Sequence, residues 1–276
     1  MTARPAAESV LRRVGEGPAD GIDLARVALA LASLDRGEPK LDYYFDHLDL
    51  LAGTVARAAA GARSLDDRLA ALNEALYVIY LYQGDRRTYD DLQNANLMRV
   101  IDRRRGLPVA LGILCIHAAR AQGWPAFGLR FPGHFLVRIE GDGQRAIVDP
   151  FDRGTRCDAA GLRRLLQSQE DETAVLRPVH YEAASDREVL LRLQNNIKQR
   201  QTRQGDTQAA ATTIESMLWM APDEAALWRE KALLDAQTGR IDRAVDALVE
   251  YIARETQDGP RHEAAVLLQR LRNPAG

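Results

Sequence analysis

The run from Arg103 to Phe151, RRRGLPVALGILCIHAARAQGWPAFGLRFPGHFLVRIEGDGQRAIVDPF, constrains the fold more than any other stretch of the chain. It predicts one apolar helix followed by three short strands. Pro108 sits just inside the helix start, where its missing N–H costs no intrahelical hydrogen bond. Val109, Ala110, Leu111, Ile113, Leu114, Ile116, Ala118 and Ala119 make the helix apolar almost all round, which places it in the core. Gly123 ends the helix, and Pro125 two residues on keeps it from resuming. Strands are expected at Phe127–Phe131, Phe135–Ile139 and Arg145–Val148. The last two are joined by Glu140-Gly141-Asp142-Gly143, which holds the residues that tight turns need.

Register decides what this hairpin does. A turn centred between Gly141 and Asp142 sets Val137 opposite Ala146 and His134 opposite Asp149. A carboxylate beside an imidazole selects its tautomer and stabilises its charged form. His134 and Asp149 therefore form the second half of a nucleophile–His–Asp device, and the first half is expected on the preceding helix.

With these residues in view, the stretch resembles the papain-like transglutaminase core. In that family the Cys nucleophile opens the buried helix in a Gly-x-Cys pattern, and a Gly-Ile-Pro-like turn follows the helix. Gly123-Trp124-Pro125 matches the turn, His134 the catalytic His, and Asp149-Pro150 the catalytic Asp. Counting back from Gly123 puts Pro108 in the Cys position, and proline offers no nucleophile. The combination of Gly106-Leu107-Pro108, FPGHFL and DPF is similar to the SirB-type transglutaminase-like branch, whose members often carry tetratricopeptide repeats after the core. The resemblance covers roughly residues 40 to 255.

The rest of the chain is helical in pattern. Short helices are expected at Ala6–Val14 and Ile22–Leu34, with a break at Pro39 and a longer helix at Leu41–Ala60. Ser64-Leu65-Asp66-Asp67 is a capping signal opening a helix that runs through Tyr80 and stops at Gly84. Tyr89–Asn96 is turn-like, and Asn96–Asp102 is a short helix. Asp158 is expected to cap a helix to about Gln167, and Glu170–His180 is a connector. From about residue 186 the chain repeats. Gly205 and Gly239 stand thirty-four residues apart, as do Ala210 and Ala244, which is the tetratricopeptide period. Lys198 and Ala232 stand where glycine is common, and the last helix is expected at Glu263–Leu271. The expected class is α+β: a helical N-terminal layer, a papain- or transglutaminase-like core with a buried helix on a small antiparallel sheet, and all-α C-terminal repeats. The expected domains are residues 1–183 and 184–276.

Charge and cysteine content narrow the functions. A net charge of −2 exerts no strong pull toward nucleic acid or anionic membrane, and Arg103-Arg104-Arg105 is too short for a nucleic-acid tract. Two cysteines, Cys115 and Cys157, make neither a disulfide framework nor a C-x-x-C metal pair, so no metal or cofactor is expected. No segment has the apolar length of a signal peptide core or a membrane span, and a reducing cytoplasm is the expected setting. His47, among alternating acidic and apolar residues, is expected to be a surface or half-buried residue rather than a ligand. His117 lies two positions from Cys115, and residues two apart on a helix do not face each other.

Three functions follow from these readings. The resemblance with Pro108 in the Cys position implies a degenerate core that binds a protein or peptide, through the His134/Asp149 cleft or through the repeats. Alternatively, Cys115 is the nucleophile of a thiol hydrolase or acyltransferase. It lies seven residues past Pro108, at nearly the same angle but about 10 Å further down the helix, in the apolar interior. In a third reading His134 and Asp149 activate water directly, and in a purely structural one the pair only pins the mouth of the hairpin.

Overall fold

The computed structural model describes residues 3–35 and 40–273. The break expected at Pro39 lies outside them. The chain divides into two compact units, one of residues 3–7 and 19–193, the other of residues 8–18 and 194–273.

The helix α1 (Ala3–Glu16) comes first in the described chain, and the first unit is built around α6 (Pro108–Arg120). Leu107 is its N-cap and Pro108 its first residue, so the proline presets the helical φ where no N–H is needed. Every residue from Pro108 to Ile116 is buried, as the all-round apolar composition requires. The helices α2 (Leu24–Ser33) and α3 (Leu41–Ala58) pack on α6, and so does α5 (Leu97–Arg103). Between them comes α4 (Leu65–Asn73), opened by a full capping box of Ser64 and Asp67. The expected helix to Tyr80 does not stay α. From Glu74 to Ile79 it widens into a π-helix, with the Tyr80 N–H donating to the Ala75 carbonyl. A π-turn leaves no periodic trace in a window this short.

Among the described residues, six strands complete this unit. The short strands β1 (Gln83–Gly84) and β2 (Arg105–Gly106) pair in parallel and bring the chain to the start of α6. The strands β3 (Ala126–Gly128), β4 (Val137–Gly141), β5 (Gln144–Asp149) and β6 (Thr155–Arg156) form an antiparallel meander in that order. β3 is shorter than expected because the chain changes partner: the Arg130 N–H donates to the Glu182 carbonyl, and Leu129 bridges to Ala183. After β6, Asp158 caps α7 (Ala159–Gln169) as expected.

The hairpin register differs from the expected one by two. Ile139, not Val137, faces Ala146, and Val137 faces Val148. The turn residues are Asp142 and Gly143, both at positive φ (54° and 72°), the geometry in which a two-residue hairpin matches the strand twist. The centre therefore lies between Asp142 and Gly143. A shift of two keeps every side chain on its expected face, whereas a shift of one would have reversed them all.

The second unit is helical. α8 (Asp186–Arg203), which belongs to it from Gln194 on, α9 (Thr207–Met220), α10 (Ala225–Gln237), α11 (Ile241–Arg254) and α12 (Asp258–Arg272) follow one another through connections of three or four residues. Such short links make neighbours antiparallel. Gly205 and Gly239 turn the chain at positive φ, and Ala210 and Ala244 are fully buried at the helix contacts, as the period predicts. Lys198, at a position where glycine is common, is buried along its stem and reaches Glu230 at 2.5 Å. Trp228 donates its indole N–H to the Pro222 carbonyl at 2.7 Å.

Candidate functional site

His134 and Asp149 meet. Nε2 of His134 lies 2.9 Å from Oδ2 of Asp149, with both side chains nearly buried. They are not directly opposed, as the expected register had it. In the observed register Asp149 stands level with Leu136, and His134 is two residues further along the same face, close enough for a diagonal contact. His134 sits before β4 in the Pro132-Gly133 turn, its N–H donating to the Pro132 carbonyl at 2.7 Å.

Asp149 is fully engaged. Its Oδ1 accepts the backbone N–H of Phe151 at 2.9 Å and of Asp152 at 3.3 Å, and its Oδ2 takes the imidazole. An ionised carboxylate only accepts, so Nε2 carries the proton. In neutral His134 the lone pair is then on Nδ1, and no described residue hydrogen-bonds that atom. The arrangement offers a base with its tautomer selected and its working nitrogen open.

Three contacts aim the imidazole. Phe135 is wedged between Gly112 of α6 and Gly128 of β3, and a Cβ at either glycine would fall at or under 2.6 Å from its ring. Gly112 therefore has to be glycine although it lies inside a helix. Arg192 donates to the His134 carbonyl at 2.5 Å, with its guanidinium 5.4 Å from the centre of the Phe135 ring. The Phe151 ring meets the His134 ring edge-on, 6.0 Å between centres. Phe151 in turn lies on Gly84, where a Cβ would come within 2.5 Å of its ring.

Pro108 opens α6. It lies one helical turn before Gly112 and so on the same face of α6, the face that packs on Phe135 next to His134. Gly106, two residues before Pro108, pairs with Gly84, which carries Phe151. Cys115 is on α6 as well but 2% exposed, and burial pushes its thiol up to about 12. Cys157 is half-buried. Burial first, then the carboxylates of Asp149, Asp152 and Asp158, push its thiol to about 11.

His47 corrects an expectation. It is 6% exposed rather than at the surface or half-buried, with Nε2 2.7 Å from the Tyr82 hydroxyl and 2.9 Å from Arg104. Burial and then the Arg104 charge lower its pKa to about 4, so it is neutral. His117 is half-buried, Nε2 3.3 Å from the Leu48 carbonyl. Among the described residues, no three His, Cys, Asp or Glu side chains converge to hold a metal ion. None of the helices there is long and apolar enough to cross a membrane.

Comparison with known proteins adds the family. Residues 42–195, more than half of the chain, match the transglutaminase-like superfamily, and residues 197–272 match the tetratricopeptide repeat. The chain belongs to the transglutaminase-like superfamily. A UPF0162 protein of Xylella fastidiosa is 30% identical over 190 residues, covering 67% of each chain. One of Vibrio cholerae is 27% identical over 219 residues, covering 79% of this chain and 81% of its own. Human F-box only protein 21 is 30% identical over 165 residues, which are 58% of this chain and 26% of that much longer one. In this transglutaminase-like domain, sequence reasoning missed Arg192, Phe151 and Gly84. DPF held a signal for Phe151, an aromatic directly after the Asp-Pro pair. Arg192 and Gly84 are far from the hairpin in sequence and carried none.

Proposed function

We propose that this transglutaminase-like domain, of the SirB-type branch, has lost its nucleophile and serves with its repeats as a protein- or peptide-binding module. The observation that carries the reading is the pairing of a complete His134–Asp149 couple with a helix start that holds Pro108. A thiol at that place would gain from the helix N-terminus and from the nearby imidazole, which together lower its pKa. Proline supplies no proton, thiol or hydroxyl. Neither native thiol replaces it. Cys115 is sealed in the core and Cys157 is held protonated by burial and three carboxylates. Tetratricopeptide repeats, whose stacked helices present extended surfaces to protein segments, support the binding half of the reading.

The test restores the thiol. In Pro108→Cys the new sulfur should react with iodoacetamide faster than Cys115 does, and the excess rate should vanish in Pro108→Cys, His134→Ala. Helix α6 tolerates the change because no intrahelical hydrogen bond needs an N–H at its first residue. Amidase or crosslinking activity in the unmodified protein, abolished by Cys115→Ala, would defeat the proposal. The open Nδ1 of His134 also favours a second reading, in which water takes the nucleophile's place. Ester hydrolysis lost in His134→Ala but kept in Cys115→Ala would select it.

A further inference from the structure

A cavity of about 230 Å³ is lined in part by Phe151, the residue whose ring meets His134. Four arginines line it, Arg86, Arg87, Arg105 and Arg153, with two aspartates, Asp85 and Asp152. Both acids are already engaged. Asp85 is 3% exposed. Its Oδ1 accepts the N–H groups of Arg87 and Thr88, and its Oδ2 accepts the Thr88 hydroxyl and Arg103 at 3.0 Å. Burial works to raise the Asp85 carboxyl, but these donors outweigh it and hold it at about 2, so it stays charged and paired. Asp152 takes Arg86 at 2.8 Å. Arg153 donates to the Tyr77 carbonyl.

Arg87 and Arg105 are left over. Both are exposed, and neither guanidinium has a carboxylate or carbonyl partner among the described residues. Two unpaired guanidiniums on one concave wall form a forked donor set that fits carboxylates. The position matters as much as the charge. Phe151 lines the cavity, its ring touches His134, and Arg86 lies 5.2 Å from the centre of that ring. Arg105 lies on β2, which leads within three residues to Pro108. A segment lying along this edge would place one side chain among the arginines and a neighbouring residue at the His134 couple.

We propose that this cavity is a selectivity pocket of the same cleft, and that the cleft takes an acidic peptide segment through Arg87 and Arg105. The proposal rests on the reading of the His134–Asp149 cleft as a binding surface, and it adds the chemistry of the bound segment. An acidic partner is also the one a chain of net charge −2 would otherwise repel, so recognition would depend on the local arginines rather than on the overall field.

The experiment measures anisotropy of a fluorescein-labelled hexaglutamate peptide with the full chain, against a hexaglutamine peptide of equal length. The glutamate peptide should bind at least about tenfold tighter, and added salt should weaken it. Arg87→Glu, Arg105→Glu should lower that affinity at least about tenfold. The double variant Arg145→Glu, Arg163→Glu makes the same change in net charge at exposed arginines outside the cavity, and should change affinity less than about twofold. Both pairs are surface changes, and circular dichroism verifies their folding. Equal binding of the two peptides would overturn the proposal, and so would equal loss in the two double variants. Displacement of the glutamate peptide by inorganic phosphate, beyond the effect of matched salt, would also overturn it by showing a site for a small free anion. Thiol reactivity of Pro108→Cys does not involve Arg87 or Arg105. Glutamate selectivity without that reactivity would leave the pocket standing and remove the vacated-thiol reading, and the reverse result would do the opposite.

Discussion

The inertness of Cys115 is the sharpest consequence of this structure. Burial moves its thiol from an ordinary 9.0 to about 12. Each unit is a factor of ten in thiolate, so at neutral pH the native protein holds about a thousandfold less Cys115 thiolate than an unfolded chain does. Access lowers the rate further. The side chain is 2% exposed in the stretch of α6 from Pro108 to Ile116, all of which is buried, so a reagent reaches it only through local opening of α6. Alkylation by iodoacetamide should therefore be at least about a thousandfold slower in the native state than in urea, read residue by residue by mass spectrometry. Cys157, half-buried and near 11, should label faster than Cys115 and slower than an exposed thiol. A native rate for Cys115 within about tenfold of the unfolded rate would refute the burial argument, and with it the main reason for setting Cys115 aside as a nucleophile.

Three further outcomes follow from packing and charge. Gly112→Ala gains about 1 kcal/mol of helix propensity in an ordinary helix, but here its Cβ runs into the Phe135 ring. It should lose about 1–3 kcal/mol, seen as a lower Tm, and a raised Tm would show the α6–sheet contact to be looser than described. His47 is neutral when folded, with a pKa near 4 against 6.5 unfolded. Its stabilisation is complete above pH 6.5 and is lost as pH falls toward 4, about 3 kcal/mol in all. Urea unfolding should show that acid slope reduced in His47→Gln, and an unchanged slope would remove His47 as its source. Ala210→Phe and Ala244→Phe should each overpack a helix pair at a fully buried position and lower thermal stability by about 1–3 kcal/mol. Unchanged melting in both would contradict the repeat assignment.

Local chemistry by itself determined a large part of this protein. Pro108 starts α6 and Gly123 closes it because a missing N–H and a positive φ are properties of single residues. Ser64 with Asp67, and Asp158, announce their helices for the same reason, since a cap needs only residues three apart. The thirty-four-residue spacing located the helix pairs because small residues must recur wherever identical contacts recur. Tertiary structure decided the rest. Whether the hairpin turned at Gly141-Asp142 or at Asp142-Gly143 depended on which turn suits the twist of the finished sheet. His134 still reached Asp149 because the difference was two residues and left both on one face. The parallel pairing of Gln83–Gly84 with Arg105–Gly106 joins segments twenty-two residues apart, and no local pattern marks it. That pairing brings Arg87 and Arg105 to one cavity and sets Phe151 on Gly84. The burial that raises Cys115 and lowers His47 is likewise a sum over many distant neighbours, which a sequence window does not contain.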